Sequence, residues 1–434
     1  MVVFDDEIKE IVKELEPAMV SCRRDLHKYP EVGWTEFRTA AKVIKKLQEL
    51  GYEVHFGEEV IVPSEQMGVP EEKVLTACME RAISEGADPE LVNKMTGGRT
   101  GVVGILRTGR PGKTVALRFD MDSLPLDEAE DEKHRPYREG WGSVHKHAMH
   151  ACGHDGHTTV GLGVAEVLMR LKDKLTGTVK LLFQPAEEGV RGARAMAASG
   201  IVDDVDYLLG THVTISAIGT LGYDVNGLLA TTKFDVDYEG VSAHAGSNPE
   251  LGKNALLAAV TATQNLHAIA ANSKGVTRIS VGVLTAGTTR NAVPDHAHME
   301  IETRGETTEL NKYMFDRAKR IIQAAADMYD VKVTLKLMGE AAAGNSTPEL
   351  SARARKIAER LQIFDTFTKD KPGASEDCSY LMERVQSHGG QAAYLTLGGS
   401  LAAINHNVYF DFDERFLAMD TVLLAALTSE LLQG

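Results

Sequence analysis

A chain of 434 residues, 43% hydrophobic and 25% charged, has the composition of an ordinary globular protein and the length for two domains. Its formal net charge of −15 excludes a broad basic face, and with it nucleic acid or an anionic membrane as a partner. No apolar run approaches the roughly 20 residues that span a bilayer, the N-terminus has neither a basic leader nor an apolar signal core, and four cysteines are too sparse for a disulfide framework, so a reducing, cytoplasmic setting is expected.

Ile8, Ile11, Val12 and Leu15 recur at helical spacing, and residues 39–50 repeat the pattern until Gly51, so 5–50 reads mainly as helix. Residues 58–98 read as an inserted helical excursion. There Pro70 suits a first turn, with Glu71 and Glu72 at the positive end of the dipole, and Val74, Leu75, Cys78, Met79 and Ala82 form one face up to Gly86. A shorter helix follows from Asp88 and Pro89 to Gly97. Apolar runs at 114–119, 179–183 and 207–210 read as buried strands, with helices at 158–171 and 192–198 between them. That alternation predicts an α/β sheet with helices on both faces.

The texture changes near residue 229. A strand at 231–238, a helix at 254–270, strands at 278–284 and 298–303, a helix at 310–328 and a strand at 331–337 follow in order. The pattern β-α-β-β-α-β predicts a small ferredoxin-like domain inserted in the larger one. α/β texture resumes with a helix at 348–361, a strand at 393–397 and a terminal helix. The expected domains are therefore 1–228 with 341–434, and 229–340.

Metal-capable side chains cluster at predicted strand ends. The first strand runs into Asp120-Met-Asp122, the second into Gln184-Pro-Ala-Glu187-Glu188, the third into Thr211-His212, and the fourth through a glycine loop into Asn405-His406-Asn407. In open α/β sheets ligands bind beyond the carboxyl ends of the strands, so four ends deliver carboxylate or imidazole to one edge. Between the first two strands lies His150-Ala-Cys152-Gly-His154-Asp-Gly-His157. Cys152 and His154, two apart beside a glycine, can turn toward one ion, and with the strand-end residues they make a donor set suited to zinc or another divalent transition ion. His145, His147 and His157 read as ordinary polar loop residues, and His150 fits either role.

Glu187 and Glu188 cannot point the same way along extended backbone. One can ligate a metal while its neighbour addresses water, as metal-assisted hydrolysis requires; the pair by itself equally suits a solvated acidic turn. His244, flanked by Gly240 and Gly246, is as easily structural as functional. Asn291 and Arg304 taken singly read as structural.

Asp120–Pro125, Met149–His157, Phe183–Gly189, Gly240–Gly246 and Asn291–Pro294 together resemble the dinuclear-metal family of aminoacylases, carboxypeptidases and amidohydrolases. The resemblance spans nearly the whole chain. It implies a zinc-peptidase-like catalytic domain, a mixed sheet flanked by helices, with an inserted α+β ferredoxin-like lid and dimerisation domain. The Cys-Gly-His-Asp variant points to the branch that cleaves N-acyl and N-aroyl amino acids. The 58–98 excursion, His134–Gly140, Glu187–Met196, Ala230–Asp235 and Arg384–Gln391 resemble the aroyl-glutamate branch, whose substrate is p-aminobenzoyl-glutamate and whose A-type chains can work beside a B-type subunit.

Carried over residue by residue, the resemblance implies that Cys152, His154, Glu188, His212 and His406 bind two divalent ions, Mn2+ first and Zn2+ as the alternative. Glu187 would be the general acid/base, and Asp122 would orient a ligand. His244 would reach from a partner subunit's lid to polarise the scissile carbonyl, and Asn291 and Arg304 would receive substrate oxygens. Arg191 departs from the small residue of many relatives and is a candidate reader of a second substrate carboxylate, with a surface salt bridge as the alternative. A homodimer, or a hetero-oligomer with a B-type subunit, is expected. Competing expectations are an indole-acetyl-aspartate amidohydrolase and a metal-bearing, non-catalytic subunit.

Overall fold

A computed structural model describes residues 3–371 and 373–434. It contains two compact units, one of Met1–Asn226, Asn345–Pro372 and Asp377–Gly434, the other of Gly227–Gly344 and Gly373–Glu376. In the first, helices α1 (Asp5–Lys28) and α2 (Phe37–Leu50) precede strand β1 (Glu53–Phe56), then α3 (Glu72–Ser84) and α4 (Pro89–Val92). Next come β2 (Val102–Arg107), β3 (Thr114–Asp120), α5 (Arg135–Arg138), α6 (His154–Arg170), β4 (Thr178–Gln184), α7 (Ala193–Ala197), β5 (Tyr207–Thr214) and β6 (Thr220–Tyr223), and β7 (Asn226–Leu228) straddles the boundary in the chain. The second unit holds β8 (Ala230–Glu239), α8 (Ala255–His267), β9 (Thr277–Ala286), β10 (His296–Gly305), α9 (Thr308–Met328) and β11 (Lys332–Ala341). The chain continues through β12 (Gly344–Asn345), α10 (Pro348–Leu361), β13 (Thr366–Lys369), α11 (Cys378–Ser387), β14 (Gln391–Gly398) and α12 (Arg415–Leu431).

The large sheet has the order β1-β2-β4-β3-β5-β14-β6-β13. Its centre, β4-β3-β5-β14, is parallel, while β1, β2 and the β14–β6 pair are antiparallel, so the sheet is mixed. The central strands read as continuous apolar runs because both their faces are covered. Helix α6 lies against them through Gly161, where a Cβ would stand 2.7 Å from the rings of Phe119 and Phe183. The chain passes from β3 to β4 on one side and returns across it to β5 on the other, so the strand order reverses at β3/β5. That is where open α/β sheets leave a crevice. Here β3 and β5 stay paired only from Val115/Tyr207 to Arg118/Gly210.

The second unit is a four-stranded antiparallel sheet of order β11-β8-β10-β9. Helices α8 and α9 pack with it around Phe234, Val236, Tyr238, Ala262, Met299 and Ile322. This is the β-α-β-β-α-β unit expected from the sequence.

Three local expectations are corrected. Helix α3 starts at Glu72 with Glu71 as its N-cap, leaving Pro70 outside it. Its packed stripe is Leu75, Cys78, Met79 and Ala82, spaced i, i+3, i+4, i+7, while Val74 falls off that stripe and is exposed. Helix α6 starts at His154 rather than residue 158, because Gly153 at φ +91° turns the chain directly into the helix.

Helix α1 is tied to the start of α6 by buried charge. Arg23 is wholly buried, donates to Asp155 at 2.8 Å and Asp411 at 2.9 Å, and lies 4.2 Å from the Phe412 ring centroid and 4.6 Å from that of Trp141. His27 bridges Asp155 through Nδ1 at 2.9 Å and Glu128 through Nε2 at 2.8 Å. Burial opposes its charge, but these two hydrogen bonds and both carboxylates outweigh it and push its pKa up to about 9. A rise of that size from 6.5 is worth about 3 kcal/mol. The contribution is complete below pH 6.5 and disappears as pH rises through about 9. Melting curves of metal-free protein should therefore show the stability advantage of the natural chain over His27→Gln shrinking between pH 6.5 and 9.5; a constant difference would contradict the ion pair.

Candidate metal centre

Asp122, just past β3, organises the site. Its Oδ1 accepts the amide of Glu187 and its Oδ2 that of Glu188, each at 2.9 Å, and its main-chain oxygen lies 2.8 Å from His154 Nδ1. The carbonyl can only accept, so the proton of His154 sits on Nδ1 and Nε2 faces the site. His212, on β5, repeats the device: Nδ1 donates to the Val213 carbonyl at 2.7 Å, and Nε2 stands 3.5 Å from Cys152 Sγ. Asn405 Nδ2 donates to the same sulfur at 3.4 Å. Next to Asn405, His406 places Nε2 3.5 Å from Glu188 Oε1.

These side chains form overlapping clusters whose donor atoms lie within 4.8 Å of one another: Cys152 with His154 and His212, Cys152 with Glu188 and His406, and His154 with Glu187 and Glu188. His154 Nε2 and Glu188 Oε1 are buried without a hydrogen bond, a costly state for polar atoms unless an ion completes them. The thiolate–imidazole–carboxylate set fits a divalent metal. Burial alone would raise the Cys152 thiol, but His212 foremost, then His154 and His406, hold it well below its ordinary value. The thiolate is the form that binds metal. Glu188 moves the other way, raised by burial and then by the Cys152 charge. Glu187 is buried, its Oε2 3.9 Å from His154 Nε2.

A second compact cluster, His27, Glu128 and His134, behaves differently. The Nε2 atoms of both histidines meet Glu128 Oε1, at 2.8 and 2.7 Å, and His27 Nδ1 is used by Asp155. It is a closed ion-pair network.

His157, read from sequence as a polar loop residue, is corrected. It is buried on α6 in the gap where β3 and β5 part, with Nδ1 2.6 Å from Asp120 and Nε2 accepting the Val213 amide at 3.0 Å. It thus spaces the two strands that carry Asp122 and His212. His145 ties its loop to distant segments, bridging the Pro30 carbonyl and Glu85, and His147 is exposed beside Asp127. His150 is buried with both ring nitrogens unpartnered, and burial lowers its pKa to about 4. Sequence reading also passed over Arg118, Asp377 and Glu36. Arg118 donates to Asp120, Gln184 and Asp377, and Asp377 also accepts the amides of Gly192 and Ala193. An arginine inside an otherwise apolar strand was the available signal for that network.

Arg191 is half-buried, with Nε donating to the Glu188 carbonyl at 2.9 Å and Nη1 to the Gly68 carbonyl at 3.1 Å. Its bonds run to main-chain oxygens rather than to a surface carboxylate. Within the second unit, His244 and Asn291 lie together: residue 244 bridges Ala292, and the Ala245 amide donates to the Asn291 carbonyl at 3.0 Å. His244 Nδ1 accepts the amides of Gly246 and Ser247 at 3.1 and 3.0 Å, which leaves the ring proton on Nε2. Arg304 is paired with Glu302 at 2.6 and 3.1 Å. It stands opposite Thr231, whereas residues 241–245 follow the other end of β8, where Glu239 pairs with His296. Eight strand residues, about 26 Å, separate the two positions.

Comparison with known proteins identifies the family to which the chain belongs. Residues 116–429 match the family model "Peptidase family M20/M25/M40". The chain is 48% identical over 427 residues to the indole-3-acetyl-aspartic acid hydrolase of Enterobacter agglomerans, covering 97% of this chain and 98% of that one. It is 47% identical over 425 residues to the A-type chain of p-aminobenzoyl-glutamate hydrolase from Escherichia coli, covering 97% of each. Among solved structures, an aminobenzoyl-glutamate utilization protein from Klebsiella pneumoniae superposes with a TM-score of 0.84 at 41% identity, covering 97% of this chain and 98% of that one. The chain belongs to peptidase family M20/M25/M40 and is a metal-dependent hydrolase of amide bonds.

Proposed function

We propose that this chain hydrolyses N-aroyl amino acids with an acidic amino-acid half, p-aminobenzoyl-glutamate foremost, releasing the aromatic acid and glutamate. The observation that carries the reading is the orphaned pair His154 Nε2 and Glu188 Oε1 beside Cys152, His212 and His406, with Glu187 at their edge. Cys152, His154, Glu188, His212 and His406 would hold two divalent ions, Mn2+ or Zn2+. The relatives named for p-aminobenzoyl-glutamate and for indole-3-acetyl-aspartate share a dicarboxylic amino-acid half. Hydrolysis of indole-acetyl-aspartate is therefore the second reading.

The ions supply Lewis acidity, lowering the pKa of water and polarising the scissile carbonyl. Glu187 takes the proton of the attacking water and returns it to the leaving nitrogen, so that water adds across the amide bond. Asp122 holds Glu187 and Glu188 through their amides and His154 in its Nδ1–H form. His244, with its proton on Nε2, donates to the developing oxyanion. His244 and Asn291 follow the end of the small sheet opposite to Arg304, and about 26 Å of strand separates those two ends, so a small substrate that meets both must draw on two copies. That favours a homodimer in which His244 acts in trans. The A-type naming of the Escherichia coli relative makes a B-type partner the alternative assembly. No described helix is long and apolar enough to cross a membrane, and the cytoplasm suits a free cysteine ligand.

Arg191, anchored to main-chain carbonyls through Nε and Nη1, would meet the second carboxylate of a glutamate or aspartate substrate.

Metal-replete Glu187→Gln should keep its ions and lose about a thousandfold in kcat; full turnover would exclude Glu187 as the base. Subunit exchange between inactive Glu187→Gln and His244→Ala homodimers should restore about a quarter of native activity, and none if His244 acts within its own chain. Arg191→Ala should raise KM more for aroyl-glutamate than for aroyl-alanine. An equal loss on both would leave it only the role of tying Glu188 to Gly68.

A further inference from the structure

Glu36 is a carboxylate for which the proposed chemistry has no use, and it is wholly buried. Among the described residues no ion pair reaches it. Its Oε1 accepts the Ala186 amide at 2.8 Å, and its Oε2 meets the Thr100 hydroxyl at 2.6 Å. Ala186 is itself buried and sits at φ +51°, in the left-handed region that an alanine rarely occupies. The next two amides, those of Glu187 and Glu188, are held by Asp122. Three consecutive N–H groups are thus gripped by two carboxyl groups, and the Arg191 amide returns to the Ala186 carbonyl at 3.1 Å to close the loop.

A left-handed alanine persists only where its surroundings over-determine it. Asp122 fixes the two residues after the turn but not the turn itself. The side chain that addresses the turn is Glu36, delivered from the start of α2, 150 residues away in sequence. Reversal of the backbone at Ala186 lets Glu187 face His154 Nε2 while Glu188 faces His406.

We propose that Glu36 is a positioning residue for Glu187, holding Ala186 in its left-handed turn so that the Glu187 carboxylate meets the reacting water. Burial, then the nearby Asp122 charge, push the Glu36 carboxyl up to about 8. It is therefore largely uncharged at neutral pH, where its requirement is an acceptor for one amide and a partner for one hydroxyl. Glutamine satisfies both. Glycine at position 186 would take the same φ without help.

The inference rests on Glu187 as the base, so Glu187→Gln is assayed alongside on p-aminobenzoyl-glutamate, with metal content measured in every variant. Glu36→Gln should keep kcat within about twofold of native. Glu36→Leu should lose about 100-fold in kcat, the effect of a misplaced catalytic group, with KM and metal content little changed. In an Ala186→Gly background the same Glu36→Leu change should cost less than about tenfold, because glycine removes the strain that Glu36 offsets; this comparison serves also if Glu36→Leu alone folds poorly. A Glu36→Leu kcat equal to native, a loss that Glu36→Gln shares, or an undiminished loss in the Ala186→Gly background would each overturn the role of Glu36. These outcomes leave Glu187 in place if Glu187→Gln is inactive. A fully active Glu187→Gln would overturn both assignments.

Discussion

One carboxylate does the joining on which the site depends. Asp122 stands where β3 ends and accepts two successive amides from the loop that follows β4, while its carbonyl takes the ring proton of the first residue of α6. Each such buried amide left unsatisfied would cost about 1–3 kcal/mol. Three segments distant in sequence are thereby held to one residue. The arrangement works only because β3 and β4 are adjacent, parallel and in register, Asp120 against Gln184, so that their continuing loops leave the sheet side by side.

Around that junction the protein uses buried charge in two ways. Below the site, Arg23, His27, Asp155, Glu128 and His134 pair among themselves and fasten α1 to α6. At the site, Cys152, His154, Glu188, His212 and His406 come equally close, yet His154 Nε2 and Glu188 Oε1 are left without hydrogen bonds. Burial sets the same penalty in both places. The first cluster meets it with its own cations, and the second is built for a cation from outside. Proximity of metal-capable side chains therefore does not by itself separate a metal centre from an ion-pair network; the unspent lone pairs do.

The convergence of strand ends was legible because period, turn residues and the α/β alternation locate the carboxyl edge of a sheet without coordinates. Glu187, Glu188, His212 and His406 follow predicted strands, and Cys152 and His154 precede a predicted helix, so their gathering at one edge could be anticipated. His157 could not be separated from its neighbours in the same histidine-rich segment. Its function as a spacer exists only because β3 and β5 part beyond Arg118 and Gly210, and nothing in its local sequence records that separation. Glu36 was hidden for the same reason, since its partner Ala186 lies on another element.

By itself the sequence determined which donor chemistries are available and the edge they occupy, because local periodicity sets where strands end. Tertiary structure alone decided how they are used. It turned the Nε2 atom of His154 inward by giving its Nδ1 proton to the Asp122 carbonyl, and it held Ala186 in a left-handed turn. It also put His244 and Arg304 toward opposite ends of the small sheet. Each of these follows from hydrogen bonds or register between residues far apart in the chain, and such partners are fixed only when the elements pack.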